Sequence, residues 1–175
     1  MSAPQLTGKE RSFGDGDLIV TKTDTGGKIT YGNRTFLSIS EVREQDAVGK
    51  PHSLIRHPDM PKAIFRLLWG TIQEGREIFA YVLNRSLNGD HYWVFAHVTP
   101  TFDEAGRVSG YHSNRRVPDR RVVDQVIAPL YRDMAEAERR ETSAKRAIDA
   151  ATTRLNDVLN AKGLDYDRFI FSLQS

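Results

Sequence analysis

The sequence predicts an α+β fold, a five-stranded antiparallel sheet with short helices on one face and a long C-terminal helix after it. Short β-prone runs come in pairs joined by turn signals, of which Asn88-Gly89 is the strongest. A stretch with helical patterns lies between the second and the third of these runs, and a further helical pattern extends from residue 119 to 162. Strands joined by tight turns pair antiparallel, and helices grouped on one side of such a sheet define the fold class.

The first two strands form a predicted hairpin. Residues 18–23 are β-prone, the Gly26-Gly27 pair turns the chain, and residues 28–31 return. Asn33 follows, and its short side chain is suited to cap the short helix that comes next.

A longer helix separates this hairpin from the other three strands. It is predicted to begin at Pro61, because proline is tolerated in a first helical turn, and to end at Gly75. The strands are predicted at residues 78–83, 92–102 and 107–115. We expect the sheet to curl around a cavity beneath its helices, a common place for a ligand.

Composition narrows the possible functions. The chain has 175 residues, no cysteine and a net charge of +2. Disulfides, thiolate metal sites and cysteine nucleophiles are therefore excluded. No apolar run approaches the roughly 18–20 residues of a membrane span, and the balanced charge does not indicate nucleic acid. We expect a cytoplasmic protein without a membrane span.

Three regions differ in composition and suggest the domain organisation. Residues 1–16 are polar and are interpreted as a flexible or weakly docked N-terminal cap. Residues 17–116 form the predicted central domain, and residues 117–175 the helical segment. Basic residues cluster at the junction and are interpreted as a solvated exit rather than a docking patch; they are Arg115, Arg116, Arg120 and Arg121.

Several motifs together carry a family resemblance. RHPDMP at residues 56–61 and NGDHYW at residues 88–93 are the most specific, and DTGGKITY at 24–31 and GKPH at 49–52 support them. With these motifs the region 17–116 resembles a PAS domain and is most similar to those of bacterial aerotaxis (energy-taxis) receptors. The resemblance implies non-covalently bound FAD whose redox state is signalled to a partner.

Motif matching also implies a set of cofactor-binding residues. Ile78 stands where the family usually has a tryptophan, so one aromatic wall of the flavin site is either lost or supplied by Phe79 or Tyr81. The complete set of residues that would line or support the flavin is Asn33, Arg56, His57, Asp59, Trp69, Ile78, Asn84, Tyr92, Trp93 and Tyr111.

The residue types suit a flavin. The Asn84 amide both donates and accepts, as the pyrimidine edge requires. Arg56 or a protonated His57 would favour the negatively charged reduced form. Tyr92 and Trp93 point to opposite faces of a strand, so that at most one should touch the ligand.

Some of these residues also have a purely structural explanation. Asp59 is also explained as a helix N-cap, and Trp69 as a core residue. Four histidines are interpreted as surface or turn residues, namely His52, His91, His97 and His112.

Two other cofactor states stay open. Haem could bind through His52 or His57, and the domain could also be a cofactor-free interaction module. A flavin–cysteine photoadduct is excluded because there is no cysteine. No catalytic arrangement stands out, so we do not expect an enzyme.

Apolar residues of the helical segment repeat with a 4-3 spacing. This seam predicts a coiled coil or a helical hairpin, and we favour a homodimer or partner-docking helix through residues 119–162. Because no recognisable signalling domain follows, we expect signalling by contact with a chemotaxis receptor or a kinase-complex protein. The seam positions are Val123, Ile127, Leu130, Met134, Ala137, Glu141, Ala144, Ile148, Ala151, Leu155 and Val158.

Overall fold

The computed structural model describes residues 5–174. The strands are β1 (Ile19–Thr23), β2 (Ile29–Gly32), β3 (Ile78–Arg85), β4 (His91–Phe102) and β5 (Val108–Arg116). The helices are α1 (Arg34–Ser40), α2 (Glu44–Ala47), α3 (Lys62–Gln73), α4 (Arg120–Val122), α5 (Ala128–Arg139), α6 (Ala144–Lys162) and α7 (Tyr166–Ser172). A 3-10 turn at His52–Ile55 and a π-helical turn at Val123–Ile127 complete them.

The chain forms two compact units. The first contains residues 5–57 and Thr71–Val117, and the second contains Pro58–Gly70 and residues 118–174. The sequence placed Pro58–Gly70 in the central domain, whereas the structure groups it with the C-terminal helices. A hydrogen bond of 3.0 Å from the Ala63 amide to Glu138 Oε1 joins them, because a first-turn amide has no partner within its own helix.

The sheet of the first unit confirms the predicted fold class. Its strand order is β2-β1-β5-β4-β3, with every neighbouring pair antiparallel. In β4 buried and half-buried residues alternate from Tyr92 to Val98, as expected for a strand with two different faces. The buried set is on the inner face, which α1 covers: the Ser40 hydroxyl on α1 lies 2.7 Å from the Tyr92 hydroxyl.

Asn33 begins α1 as predicted. Its Oδ1 accepts a hydrogen bond of 3.0 Å from the Phe36 amide. The same oxygen accepts one from the Val20 amide, and Nδ2 donates to the Leu18 carbonyl at 2.7 Å. One side chain therefore caps the helix and joins it to β1.

The N-terminal segment pairs with the turn between β3 and β4. The Thr7 amide donates to the Gly89 carbonyl at 3.0 Å, and the His91 amide donates to the Lys9 carbonyl at 2.9 Å. A Cβ on Gly89 would lie 2.0 Å from the Gln5 carbonyl oxygen. Residues 5–11 are thus docked rather than flexible, and the part of the prediction for residues 1–4 lies outside the described residues.

The helical segment contains the predicted long C-terminal helix, α6, of 19 residues. The expectation of one helix over 119–162 is wrong, and it overlooked Pro129. Proline has no N–H to donate within a helix, and the wider π-helical turn Val123–Ile127 ends two residues before Pro129. The helix also stops before Ser143, whose hydroxyl caps α6 by accepting from the Arg146 amide at 3.2 Å.

Helices α5 and α6 pack against each other as an antiparallel hairpin. An ion pair of 3.7 Å between Arg154 and Asp133 joins them. The apolar seam is largely buried inside this unit, whereas Glu141 and Ala144 are exposed near the connection. The hairpin alternative therefore describes these helices better than a continuous coiled coil. The buried seam residues are Val123, Ile127, Leu130, Met134, Ala151 and Leu155.

Within residues 5–174, no helix has the combination of length and apolarity that crossing a membrane requires.

Candidate functional site

Polar side chains gather on the inner face of the sheet. Thr21 on β1 lies opposite Ser113 on β5, and Asn84 on β3 lies opposite Tyr92 on β4. Thr21 and Tyr92 are at most 1% exposed, and Asn84 and Arg115 are both 3% exposed. Buried polar groups normally have partners, so their hydrogen bonds show what this interior can accommodate.

Arg115 is a buried cation held by neutral groups. Its Nη2 donates to Thr21 Oγ1 at 2.5 Å and lies 2.5 Å from His52 Nε2. Its Nε donates to Ser113 Oγ at 3.1 Å, and its guanidinium lies 6.0 Å from the centre of the Phe36 ring. Its Nη1 is buried and makes no hydrogen bond. Burial lowers the pKa of Arg115 to about 10, which leaves it charged at neutral pH.

His52 is the neutral partner of this cation. Burial, and then the charges of Arg115 and Arg56, lower the pKa of His52 well below 6.5. Since Nε2 faces a guanidinium donor, we assign it as the acceptor, and the ring proton then lies on Nδ1. The Thr21 hydroxyl, 3.2 Å away, can donate to the same nitrogen. The imidazole stacks on Phe36 with ring centres 6.3 Å apart.

Tyr92 and Asn84 form the second polar group of the inner face. Burial raises the pKa of the Tyr92 hydroxyl, against the opposing effects of the Arg115 charge, the hydrogen bond with Ser40 and the nearby Asn84 amide. Asn84 Nδ2 lies close enough to contribute to that effect, yet it makes no hydrogen bond of good geometry. A buried amide donor is therefore left unsatisfied beside a neutral phenol.

The RHPDMP motif begins at the β3 edge of the sheet. The backbone of Arg56 forms a β-bridge with Asn84, and Arg85 Nε donates to the Arg56 carbonyl at 3.0 Å. The His57 ring is buried and meets His91 edge to face, with ring centres 5.9 Å apart. Burial lowers the pKa of Arg56. These contacts attach the start of the motif to β3 and β4.

Buried donors of the first unit that make no hydrogen bond include Asn84 Nδ2, Arg85 Nη1 and Arg115 Nη1. Among the ion pairs of residues 5–174, none joins a carboxylate to Arg85 or Arg115. Leaving such donors unsatisfied costs about 1–3 kcal/mol each. The arrangement suits a ligand that supplies acceptor atoms and negative charge.

The residues predicted to bind the cofactor lie in different parts of the fold. Four of them are buried on the inner face of the sheet: Ile78, Asn84, Tyr92 and Tyr111. Burial also raises the pKa of Tyr111. Trp93 is on the opposite face, where it pairs with Leu83, so that of the two neighbours Tyr92 and Trp93 only Tyr92 lies on the inner face.

Three other predicted residues have different surroundings. The polar atoms of Asn33 bond to the backbone of β1 and α1, which gives this residue a structural role. Asp59 and Trp69 belong to the second unit. There Asp59 is exposed and Trp69 on α3 is half-buried.

Sequence reasoning missed Arg115, Thr21 and Ser113. It interpreted Arg115 as part of a solvated basic cluster, and His52 as a surface or turn residue or a possible haem ligand. A signal for Arg115 was available, because it lies four residues after Tyr111 on the same strand and so on the same face. Within residues 5–174 no group of three or more potential metal ligands occurs.

Comparisons with known proteins agree with this architecture. A family model described as PAS fold matches residues 29–115. The chain is 40% identical over 134 residues to the aerotaxis receptor of Escherichia coli (strain K12), covering 75% of this chain and 26% of that receptor. The chain thus spans about a quarter of that relative's length.

Solved structures share the fold at low sequence identity. The blue-light photoreceptor Aureochrome1 LOV in its dark state matches with a TM-score of 0.56 and 18% identity, over 63% of this chain and 83% of that one. A PAS domain from Colwellia psychrerythraea matches with a TM-score of 0.53 and 17% identity, over 58% and 86%. Together with the family match and the aerotaxis similarity, the sheet and its helices identify this chain as a member of the PAS family, of the aerotaxis-receptor type.

Proposed function

We propose that this protein is a cytoplasmic redox sensor whose first unit binds FAD and reports the redox state by contact to a chemotaxis receptor or a kinase-complex protein. The observation that carries the proposal is the set of buried, unsatisfied donors at Asn84, Arg85 and Arg115. A flavin is rich in acceptors, with two carbonyl oxygens, ring nitrogens and a pyrophosphate, and fits this donor excess.

Small side chains on the β3–β4 side of the inner face also support the proposal. Ala80 lies directly opposite Ala96 there. Apolar residues on either side include Ile78 and Val94, which suit an aromatic ring system. Because Ile78 replaces the tryptophan that is usual in the family, its contact with the ring would be aliphatic rather than aromatic.

A bound flavin would supply reversible electron transfer. The chain's own residues would hold and tune it: Asn84 at the pyrimidine edge, and the buried Tyr92 and Tyr111 as walls. The neutral His52 and the cation Arg115 would set the local charge. In this proposal the protein signals a state and does not turn over a substrate, in keeping with relatives that are named as receptors.

A haem sensor is the weaker alternative. His52 Nε2 already meets Arg115 and Thr21, and iron ligation by that nitrogen would break both contacts. Its lowered pKa keeps it neutral, but the neighbouring guanidinium disfavours a metal cation. A cofactor-free interaction module remains an outcome of the test below.

An absorbance spectrum of the purified chain tests the proposal. We expect flavin bands that bleach with dithionite, or that arise after reconstitution with FAD. A Soret band would establish haem instead. A colourless protein that takes up no FAD would overturn the flavin proposal.

A matched pair of variants then tests the site. Asn84→Ala should weaken FAD binding about tenfold or more, because it removes a buried donor from the inner face. Asn114→Ala is the control: Asn114 lies on the opposite face of β5, where it pairs with His97. Equal loss in both variants would show that the inner face does not bind the flavin.

Output is proposed to pass through the second unit. The chain crosses from the first unit to the second after His57 and after Val117, and back within α3 between Gly70 and Thr71. A homodimer through residues 119–162 is still proposed, but the seam residues are buried in the α5–α6 hairpin. Such a dimer must use the faces that this hairpin leaves exposed, or open it.

A further inference from the structure

Arg115 differs from Arg11 and Arg76 of the first unit in how its charge is surrounded. The Arg11 side chain pairs with Glu41, and Arg76 pairs with Glu74. Arg115 is nearly fully buried, and its three side-chain partners are all neutral: Thr21, Ser113 and His52. A buried charge without a counter-ion is costly to retain.

The neutral partners fix the guanidinium without neutralising it. Nε and Nη2 are both engaged, and Phe36 lies against the group. Nη1, in contrast, is buried and has no acceptor. The side of the guanidinium formed by Nε and Nη2 is thus held in place. Its charge and the N–H groups of Nη1 remain available to a ligand.

His52 contributes by staying neutral. If it carried a proton, its Nε2 would donate and would repel Arg115. As an acceptor, it instead fixes the orientation of the guanidinium. His52 is therefore a positioning residue for Arg115 and not itself a source of positive charge.

We propose that Arg115, oriented by His52 and Thr21, is the cation that raises the potential of the bound flavin by stabilising its reduced, anionic form. This inference rests on the flavin function proposed above. Reduction by two electrons with uptake of one proton at N5 leaves one negative charge shared by N1 and the C2 carbonyl oxygen. A fixed, desolvated guanidinium such as that of Arg115 would stabilise this charge more than it would stabilise the oxidised ring.

The assignment differs from the one suggested by the family motif. Arg56 and His57 were the expected cations. The backbone of Arg56 forms a β-bridge with Asn84 on β3, and the buried His57 ring packs against His91. Arg115 is the more deeply buried of the two arginines.

The test is the midpoint potential of FAD bound to the full chain, with free FAD as reference and dithionite as reductant. The difference between the potentials of bound and free FAD gives the ratio of the protein's affinities for reduced and oxidised flavin. Arg115→Met should lower this ratio at least about tenfold, which corresponds to about 30 mV for a two-electron couple. Arg115→Lys should restore part of it, because it keeps the charge but loses the fork.

Two further variants separate tuning from mere folding. Arg116→Gln, at the exposed neighbouring position, should leave the ratio unchanged. His52→Gln should lower it by a smaller factor than Arg115→Met, since the charge stays but is less well oriented. If Arg115→Met does not fold, Arg115→Lys and His52→Gln decide the question by the same measurement.

The outcomes distinguish this inference from the proposed function. If the wild-type chain binds no flavin, the proposed function fails, and the tuning role fails with it. If wild type and the Arg115 variants bind flavin with the same ratio, the function stands and the tuning role is refuted. A loss of affinity that is equal for both redox states would likewise assign Arg115 to binding alone.

Discussion

The Arg115 guanidinium lies 2.5 Å from Nε2 of His52, although 63 residues separate the two in the chain. One residue is charged and the other neutral because Arg115 is buried and His52 is half-buried beside its charge. Burial penalises charge on both, and the cation with the far higher intrinsic pKa keeps its proton. The pair is therefore a fixed positive charge with a neutral support, and its consequences can be measured without any ligand.

The first prediction concerns the pH dependence of stability. The folded state lowers the pKa of His52 below 6.5, so the unfolded chain binds the proton more readily. The contribution of the neutral imidazole to the free energy of unfolding is fully present above pH 6.5. It is lost as the pH falls toward the pKa of His52 in the folded state. Urea unfolding of the first unit should therefore give a lower midpoint at pH 5.5 than at pH 7.5.

The control for this prediction is His52→Gln. Its unfolding midpoint should depend less on pH over the same interval, because the titrating group is gone. A Trp69→Phe background leaves Trp93 as the fluorescent probe of the first unit. An unchanged slope in the His52 variant would show that another group causes the pH dependence.

The second prediction separates two roles of Asn33. Asn33→Ala removes its hydrogen bonds to the Val20 and Phe36 amides and to the Leu18 carbonyl. The free energy of unfolding should fall by about 1–2 kcal/mol, with little change in FAD affinity. Asn33→Asp keeps the two accepted bonds and should lose less. A large loss of FAD affinity in a stable Asn33→Ala protein would return this residue to the ligand site.

The contrast between Asn33 and Arg115 shows what the sequence could reveal. The Asn33 cap depends on a partner three residues away, and the turns at Gly27 and Gly89 are equally local, so the strands between them were predictable. Arg115 depends on β5 pairing with β1 and on the distant His52. The nearby arginines made it resemble a solvated cluster.

The helical segment shows the same limit. Its 4-3 seam was correctly recognised as a buried surface, but a seam does not say which partner covers it. The short break after Arg139 decides that α6 folds back on α5. Likewise the apolar face of α3 was predictable, whereas the assignment of Pro58–Gly70 to the second unit was not.

The third prediction concerns the docked N-terminal segment. Gly89 has a φ of +95°, and a Cβ there would collide with the Gln5 carbonyl oxygen. Gly89→Ala should release residues 5–11, seen as faster amide hydrogen exchange at Thr7 and Lys9. Gly106→Ala is the matched control, since Gly106 also has a positive φ, +75°, but nothing lies within 4 Å of its Cβ position. Equal exchange in both variants would show that the contact with Gln5 is unimportant.

The fourth prediction concerns the buried pair of hydroxyls. Tyr92→Phe leaves Ser40 Oγ without its partner at 2.7 Å. The first unit should lose about 1–3 kcal/mol of unfolding free energy, the cost of an unsatisfied buried group. In the double variant with Ser40→Ala much of this loss should be recovered, because no orphaned hydroxyl remains. Strictly additive losses would indicate that the two groups do not interact.

The fifth prediction distinguishes a hairpin from an intermolecular coiled coil at residues 119–162. Ala151 on α6 is fully buried, so Ala151→Leu should overpack the hairpin and destabilise the second unit by about 1–3 kcal/mol. At a seam position of a coiled-coil dimer the same change would add apolar contact and strengthen association. Ala161→Leu, at an exposed position of α6, is the control. Urea unfolding combined with light scattering separates the cases: a destabilised protein of unchanged mass supports the hairpin, and a more stable protein of doubled mass would contradict it.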